Sequence, residues 1–261
     1  MQETLFGAEY DAVILAQIKP LVAADALLDV ANAIMGAHMR ILAWRLAQSC
    51  GAAVLNGPFT GLRCDLQHLG IAPSAKLLGS YEAELHAPIA DILDRDYRTI
   101  INIGCGDGYY AVGFARRLPS ARVLAFDIDP VARGRTQEMI RINEVGDRVT
   151  IGERCTHETL RELAGPHTLI FCDIEGDELE LLQREAVGSS SVIVEFHDSD
   201  QPVSMRLAER FSPTHQVQTV RQSPRDANWH ARLAGFSEFE RAIMLCEFRG
   251  DPMLWGIMLS Q

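Results

Sequence analysis

The chain has 261 residues, 48% of them hydrophobic, and carries 35 acidic against 24 basic side chains, for a net charge of −11. That length and apolar content can bury a full core and suit one large α/β unit with an appendage. The acidic balance speaks against a nucleic-acid partner, whose phosphates need basic surface. The apolar stretch from Leu21 to Met35 holds Asp25, Asp29 and Asn32, so it is too polar and too short to span a membrane. Cys50, Cys64, Cys105, Cys155, Cys172 and Cys246 form no C-x-x-C pair and read as reduced thiols. With no basic segment leading an apolar one at the N-terminus, these features point to the cytoplasm.

In chain order, residues 1–80 read as an N-terminal helical cap region and residues 81–261 as the main domain. Pro20 opens a helix from Leu21 to Ser49, with Leu27, Ile34, Ile41 and Leu42 at helical spacing and Gly51 as its stop. This helix is a candidate cap over a site or a homodimer surface, or it simply packs on the main core. Gly57-Pro58, Gly61, Gly70, Pro73 and Gly79 then punctuate short apolar pieces, expected as short strands or turns. Tyr81 to Arg95 reads as a helix. From residue 98 strand and helix alternate, the signature of a parallel sheet covered on both faces. Strands fall near 98–104, 122–127, 148–152, 167–173, 191–197, 215–220 and 252–259, the last two being candidates for a hairpin. Helices fall near 108–118, 130–144, 156–164, 176–186, 200–211 and 234–248.

The stretch Ile100-Ile-Asn-Ile-Gly-Cys-Gly-Asp-Gly108 is a strand running into a glycine turn, and the helix beginning at Tyr109 follows it. Such a turn lets a ligand touch backbone where a Cβ would collide. The second strand ends in Asp127, an acid placed to accept hydrogen bonds from ribose hydroxyls. A dinucleotide such as NAD fits less well, because the third glycine of G-x-G-x-x-G would fall on Tyr109 and no Lys or Arg in the turn meets a pyrophosphate. S-adenosylmethionine has the ribose without the phosphates. The pattern resembles the first motif of class I S-adenosylmethionine-dependent methyltransferases, acid-x-G-x-G-x-G, with Asn102 in place of the usual acid. The resemblance implies a Rossmann-like α/β core with a mostly parallel seven-stranded sheet, here carrying an N-terminal helical appendage. It also implies cofactor contacts from Asn102, Gly104, Cys105, Gly106, Gly108 and Asp127, and from Tyr81 and Glu82, which resemble a segment packing over the methionine end.

Ligands of open parallel sheets bind beyond the carboxyl ends of the strands. The fourth strand there runs into Asp173-Ile-Glu175-Gly176, which resembles the FkbM-type methyltransferases and implies O-methylation of a small molecule. Both acids could instead cap the next helix. Glu153 to Cys155 are candidates for an adenine pocket. The fifth strand ends in Glu195-Phe-His-Asp198, ionisable groups that are costly to bury unpaired or unused. Glu195 and His197 share one face of the strand. His197, as a neutral imidazole, is the candidate general base for an acceptor hydroxyl, assisted by Glu195 or Asp173, and the resemblance places Glu175 with Asp173 among the catalytic candidates. Otherwise it is a structural histidine bonded to Asp198 or Glu195. Asp173, Glu175, Glu195, His197 and Asp198 also form a candidate divalent-metal set. His86 and the loop holding Arg225, Asn228, Trp229 and His230 are weaker candidates. The reading is a methyltransferase with a small-molecule acceptor. The alternatives are N- or protein methylation, or a non-catalytic S-adenosylmethionine-binding protein.

Overall fold

A computed structural model describes residues 8–24, 26–198 and 201–261. The chain begins with α1 (Ala8–Ala23) and α2 (Leu27–Cys50). Pro20 lies inside α1 rather than opening the second helix; α1 ends at Ala23 and α2 begins at Leu27. The turn continues past the proline because the amides of Ala24 and Ala26 bond back to the carbonyls of Pro20 and Leu21, both at 3.0 Å. Gly51, at φ 75°, ends α2 by donating to Ala47 O at 2.7 Å.

Residues 51–72 hold turns and one antiparallel bridge, Ala53 to Arg63, the turn alternative of the expected short strands or turns. They lead into a helix that periodicity did not disclose, α3 (Pro73–Leu78). A 3₁₀ turn at Ala83–Leu85 precedes α4 (His86–Leu93), shorter than the helix expected from Tyr81. Then follow β1 (Thr99–Ile103), α5 (Tyr109–Arg117), β2 (Arg122–Phe126), α6 (Pro130–Asn143), β3 (Val149–Gly152), α7 (His157–Leu163) and β4 (Thr168–Cys172). The single helix expected over 176–186 is two, α8 (Glu178–Leu181) and α9 (Arg184–Val187). Between them Gln183 is extended, and its side-chain amide bonds the carbonyls of Leu179 and Glu180, at 2.7 and 3.2 Å. The chain closes with β5 (Ser191–Phe196), α10 (Val203–Phe211), β6 (His215–Arg221), α11 (Glu238–Leu245) and β7 (Leu254–Ser260). Helix α11 starts at a capping box between Ser237 and Glu240.

The seven strands form one sheet in the order β3-β2-β1-β4-β5-β7-β6. β1 to β5 run parallel and β7 antiparallel between β5 and β6. β6 and β7 pair as expected, but the connection between them holds α11 and is no tight hairpin. Strand alternation sends Ile100 to one face and Ile101 to the other, where each joins a separate apolar cluster. The first cluster joins Ile100, Phe114 and Trp255 to Leu42 and Leu46 of α2 and to Val54, Phe59 and Leu62. The strand order reverses between β1 and β4, which opens a crevice at their carboxyl ends. Among the described residues no helix is long and apolar enough to cross a membrane.

Candidate functional site

A cavity of about 620 Å³ opens at that crevice, lined by Gly104 and Gly106, Asp127 and Ile128, Glu153 to Glu158, and Asp173 to Glu175. Its size suits a drug-sized ligand or cofactor. Gly104 sits at φ 78°, and a Cβ there would come within 1.7 Å of the Asp173 carbonyl oxygen, so only glycine lets the ends of β1 and β4 approach. Gly106, at φ 56°, faces open space. Its amide donates to Asp127 Oδ2 at 2.9 Å, while Asp127 Oδ1 accepts from the Asp129 amide at 2.9 Å. Asp127 thus ties the glycine turn to the end of β2 while presenting its carboxylate to the cavity. Asp129 caps α6 by accepting from Val131 N.

Asp173 is where this cavity meets a second constellation. Its carboxyl lies within 4.8 Å of that of Glu195, which is 1% exposed. Burial, and then the facing Asp173 charge, push Glu195 up to about 9. Burial raises Asp173 as well. Arg249 donates to Glu195 Oε1 at 2.5 Å and also to Glu82. Burial pushes Glu82 up to about 8 against the pull of Arg249. Tyr110 donates its hydroxyl to Glu82, and Glu247 Oε1 accepts from the Glu82 amide at 3.1 Å. Arg225 spans Glu84 and Glu247 at 2.6 and 2.7 Å. Glu82, Glu175 and Phe248 adopt left-handed backbone at φ 46°, 42° and 57°. Strain of that kind persists where the surroundings hold it, often around sites.

His197 lies on the other flank of Asp173. Its Nδ1 faces buried Glu178 Oε1 at 2.5 Å, and its Nε2 is 4.0 Å from Asp173 Oδ1 and 3.4 Å from Glu175 Oε2. The hydrogen bond to Glu178 raises its pKa, which favours the imidazolium over the expected neutral base. Its partner is therefore Glu178, not Asp198 or Glu195. Asp198 turns away to accept from the Ser204 amide and hydroxyl. Of the five expected metal ligands, Asp173, Glu195 and His197 bring donor atoms within 4.8 Å of one another.

The expected cofactor residues divide. Gly104, Gly106 and Asp127 line the cavity. The Cys105 thiol turns into the core toward Thr136 Oγ1 at 3.4 Å, and Gly108 packs against α6, so neither belongs to the cavity wall. Asn102 is buried in β1, donating to Phe171 O at 3.4 Å, with Oδ1 unpartnered. Tyr81 and Glu82 stand with Arg249 and are not among the residues lining the cavity. His86 packs edge-on to Trp229, and burial lowers its pKa to about 4, so it serves packing. From the late loop, Arg225 reaches the acid cluster, whereas Asn228 donates its amide to Asp226 within the loop. Sequence reasoning missed Glu178, Glu247 and Arg249. Arg249 reaches acids 54 and 167 positions away in the chain, which no local pattern announces.

The strand order and the glycine turn define a class I, Rossmann-like methyltransferase fold. A model of the ribosomal protein L11 methyltransferase family, PrmA, matches residues 87–191, the segment from α4 through the start of β5. An L11 methyltransferase from Herpetosiphon aurantiacus is 40% identical over 67 residues, 26% of this chain and 21% of the relative. One from Pelobacter propionicus is 33% identical over 99 residues, 36% and 30% of the two chains. The chain thus spans less than a third of the length of either relative. The human methyltransferase 10 domain containing protein matches in fold at a TM-score of 0.50 and 15% identity, over 85% of this chain and 96% of that one. These findings correct one expectation. The matched relatives are named for a protein acceptor, which overturns the small-molecule acceptor read from the FkbM-like segment.

Proposed function

We propose that this chain is an S-adenosylmethionine-dependent methyltransferase whose acceptor is a protein nitrogen. The observation that carries this reading is the junction at Asp173, which belongs both to the wall of the glycine-turn cavity and to the buried acid cluster. S-adenosylmethionine, when bound, supplies a methyl group already activated on sulfonium, so catalysis rests on positioning and on handling the acceptor proton.

The residues fit the cofactor. Gly104 and Gly106 clear room for it, Asp127 offers acceptors to ribose hydroxyls, and the unpartnered Asn102 Oδ1 remains as a buried acceptor for an ammonium. Carboxyl groups gather around Asp173, which suits an acceptor that arrives as a cation. Glu195 keeps its proton at neutral pH and donates to Asp173, leaving Asp173 as the carboxylate facing the cavity. Asp173 then takes the acceptor's proton, with His197 and Arg249 balancing its charge. In this reading His197 is a counter-ion and the base role passes to Asp173. The FkbM-like segment contributes an arrangement of acids here and does not define the acceptor class.

The test is incubation of purified chain with radiolabelled S-adenosylmethionine and either ribosomal protein L11 or a lysate of unmethylated proteins. Label should enter protein, with S-adenosylhomocysteine released in equal amount. Binding of the cofactor with label entering only the low-molecular-mass fraction would refute the acceptor; binding without any turnover would refute the enzyme.

A further inference from the structure

Asp107 stands at the tip of the glycine turn but points inward, 6% exposed, away from the cavity that the turn borders. Its Oδ2 accepts from the Gly70 amide at 2.9 Å and from Lys76 Nζ at 2.5 Å, and its Oδ1 accepts from the Tyr109 amide at 3.2 Å. Lys76, on α3, is 5% exposed, with its ammonium 4.8 Å from the centre of the Tyr81 ring and 5.7 Å from that of Tyr109. A lysine is rarely so buried unless something holds its charge. Among the described residues its carboxylate partner is Asp107. The two neighbouring residues of the turn are therefore tied in opposite directions. Gly106 is held outward by Asp127 through its amide, and Asp107 is held inward by Lys76.

We propose that Lys76 is a positioning residue for the cofactor. Through Asp107 it fixes the backbone of Gly106 to Gly108 in the conformation that leaves the Gly106 side of the turn open to the ligand. The segment holding Gly70 and Lys76, which precedes the β/α core, is thereby a working part of the cofactor site. Without the ammonium the turn keeps its glycines, and with them the freedom to adopt conformations that close the cavity. The proposal rests on the reading of the cavity as an S-adenosylmethionine site.

The test uses the full chain and titration with S-adenosylhomocysteine. Lys76→Met keeps the length and apolar stem but strands a buried carboxylate, so it is paired with Lys76→Met/Asp107→Asn, which removes both charges and keeps an acceptor oxygen for one of the two amides, Gly70 or Tyr109. Thermal unfolding reports whether each variant is folded, and hydrogen exchange reports the amides of Gly106 to Tyr109 against those of β1 and β4. A residue that merely supports the fold predicts that the double variant regains stability and affinity together. A positioning residue predicts restored stability with affinity still lower by about tenfold, and turn amides exchanging faster while the strands stay protected. A folded double variant with unaltered affinity and unaltered turn exchange would overturn the proposal alone. Failure of the unaltered chain to bind would overturn the cofactor reading and this proposal with it.

Discussion

Replacing Asp127 with Ala isolates what the acid at the end of β2 does. Its carboxylate accepts two backbone amides, from Gly106 and from Asp129, both at 2.9 Å. Hydrogen bonds to a charged group contribute about 1.5–3 kcal/mol each, and a half-exposed carboxylate sits at the lower end because water replaces part of the loss. Asp127→Ala also removes the acceptors for the ribose hydroxyls. The loss falls mainly on the bound state, since the carboxylate lies at the rim of the sheet and not in its core. The expected fall in S-adenosylhomocysteine affinity is about 30- to 100-fold, or roughly 2–3 kcal/mol. Asp127→Asn should lie between, because its oxygen serves one amide while its NH₂ meets the other donor. Calorimetric titration measures the loss, and an analogue lacking the ribose hydroxyls completes a double-mutant-style cycle. That analogue should bind the unaltered chain weakly and lose little more on substitution. An Ala variant that binds S-adenosylhomocysteine within about threefold of the unaltered chain would refute the reasoning, and with it the placement of the ribose.

Three further outcomes follow from the packing around the site. Glu195 is a carboxyl raised from 4.5 to about 9, so the folded chain binds its proton more tightly than the unfolded chain; stability is greatest below the lower value and declines as pH rises through that window. Glu195→Gln keeps the neutral form and should flatten this decline in urea melts run from mildly acidic to mildly alkaline buffer; an unchanged slope would show that another group sets it. Arg225→Met leaves Glu84 and Glu247 facing each other without their shared cation, and should cost about 3–5 kcal/mol in equilibrium unfolding. Gly104→Ala places a Cβ 1.7 Å from the Asp173 carbonyl and should destabilise the fold by about 3 kcal/mol, at the upper end for overpacking, while also lowering cofactor affinity. Wild-type unfolding and binding in that variant would mean that β1 and β4 do not approach so closely.

The sheet was legible in the sequence because its signals are local. Apolar runs ended by glycine or acid mark β1, β2, β4 and β5, and the glycine turn falls where the alternation of strand and helix places it. Legibility ended where the chain depends on distant partners. Pro20 looked like a helix start because proline favours first turns, yet α1 carries it internally at the cost of one hydrogen bond. The 73–78 helix was hidden because all six of its residues are buried, leaving no polar face to give a period. Glu195 and His197 were recognised as polar groups at the end of an apolar strand, but their chemistry was not readable from that position. It depends on Glu178 for one and on Asp173 and Arg249 for the other.

The same long-range dependence ties the acid cluster to the cofactor turn. Two cations from outside the first five strands, buried Lys76 and half-buried Arg249, approach Tyr81 at 4.8 and 6.0 Å from its ring centre, one tethering Asp107 and the other Glu82 and Glu195. Tyr81 thus lies beside both cations, and Glu82 is bonded to one of them, Arg249. Each cation is held by its own acids, so a shift of residues 81–82 would disturb the glycine turn and the Asp173–Glu195 pair together. An acceptor that loosens the Arg249 contacts on entering would reach the cofactor turn by this route. Coupling between acceptor and cofactor binding in a titration of each in the presence of the other is what that arrangement requires.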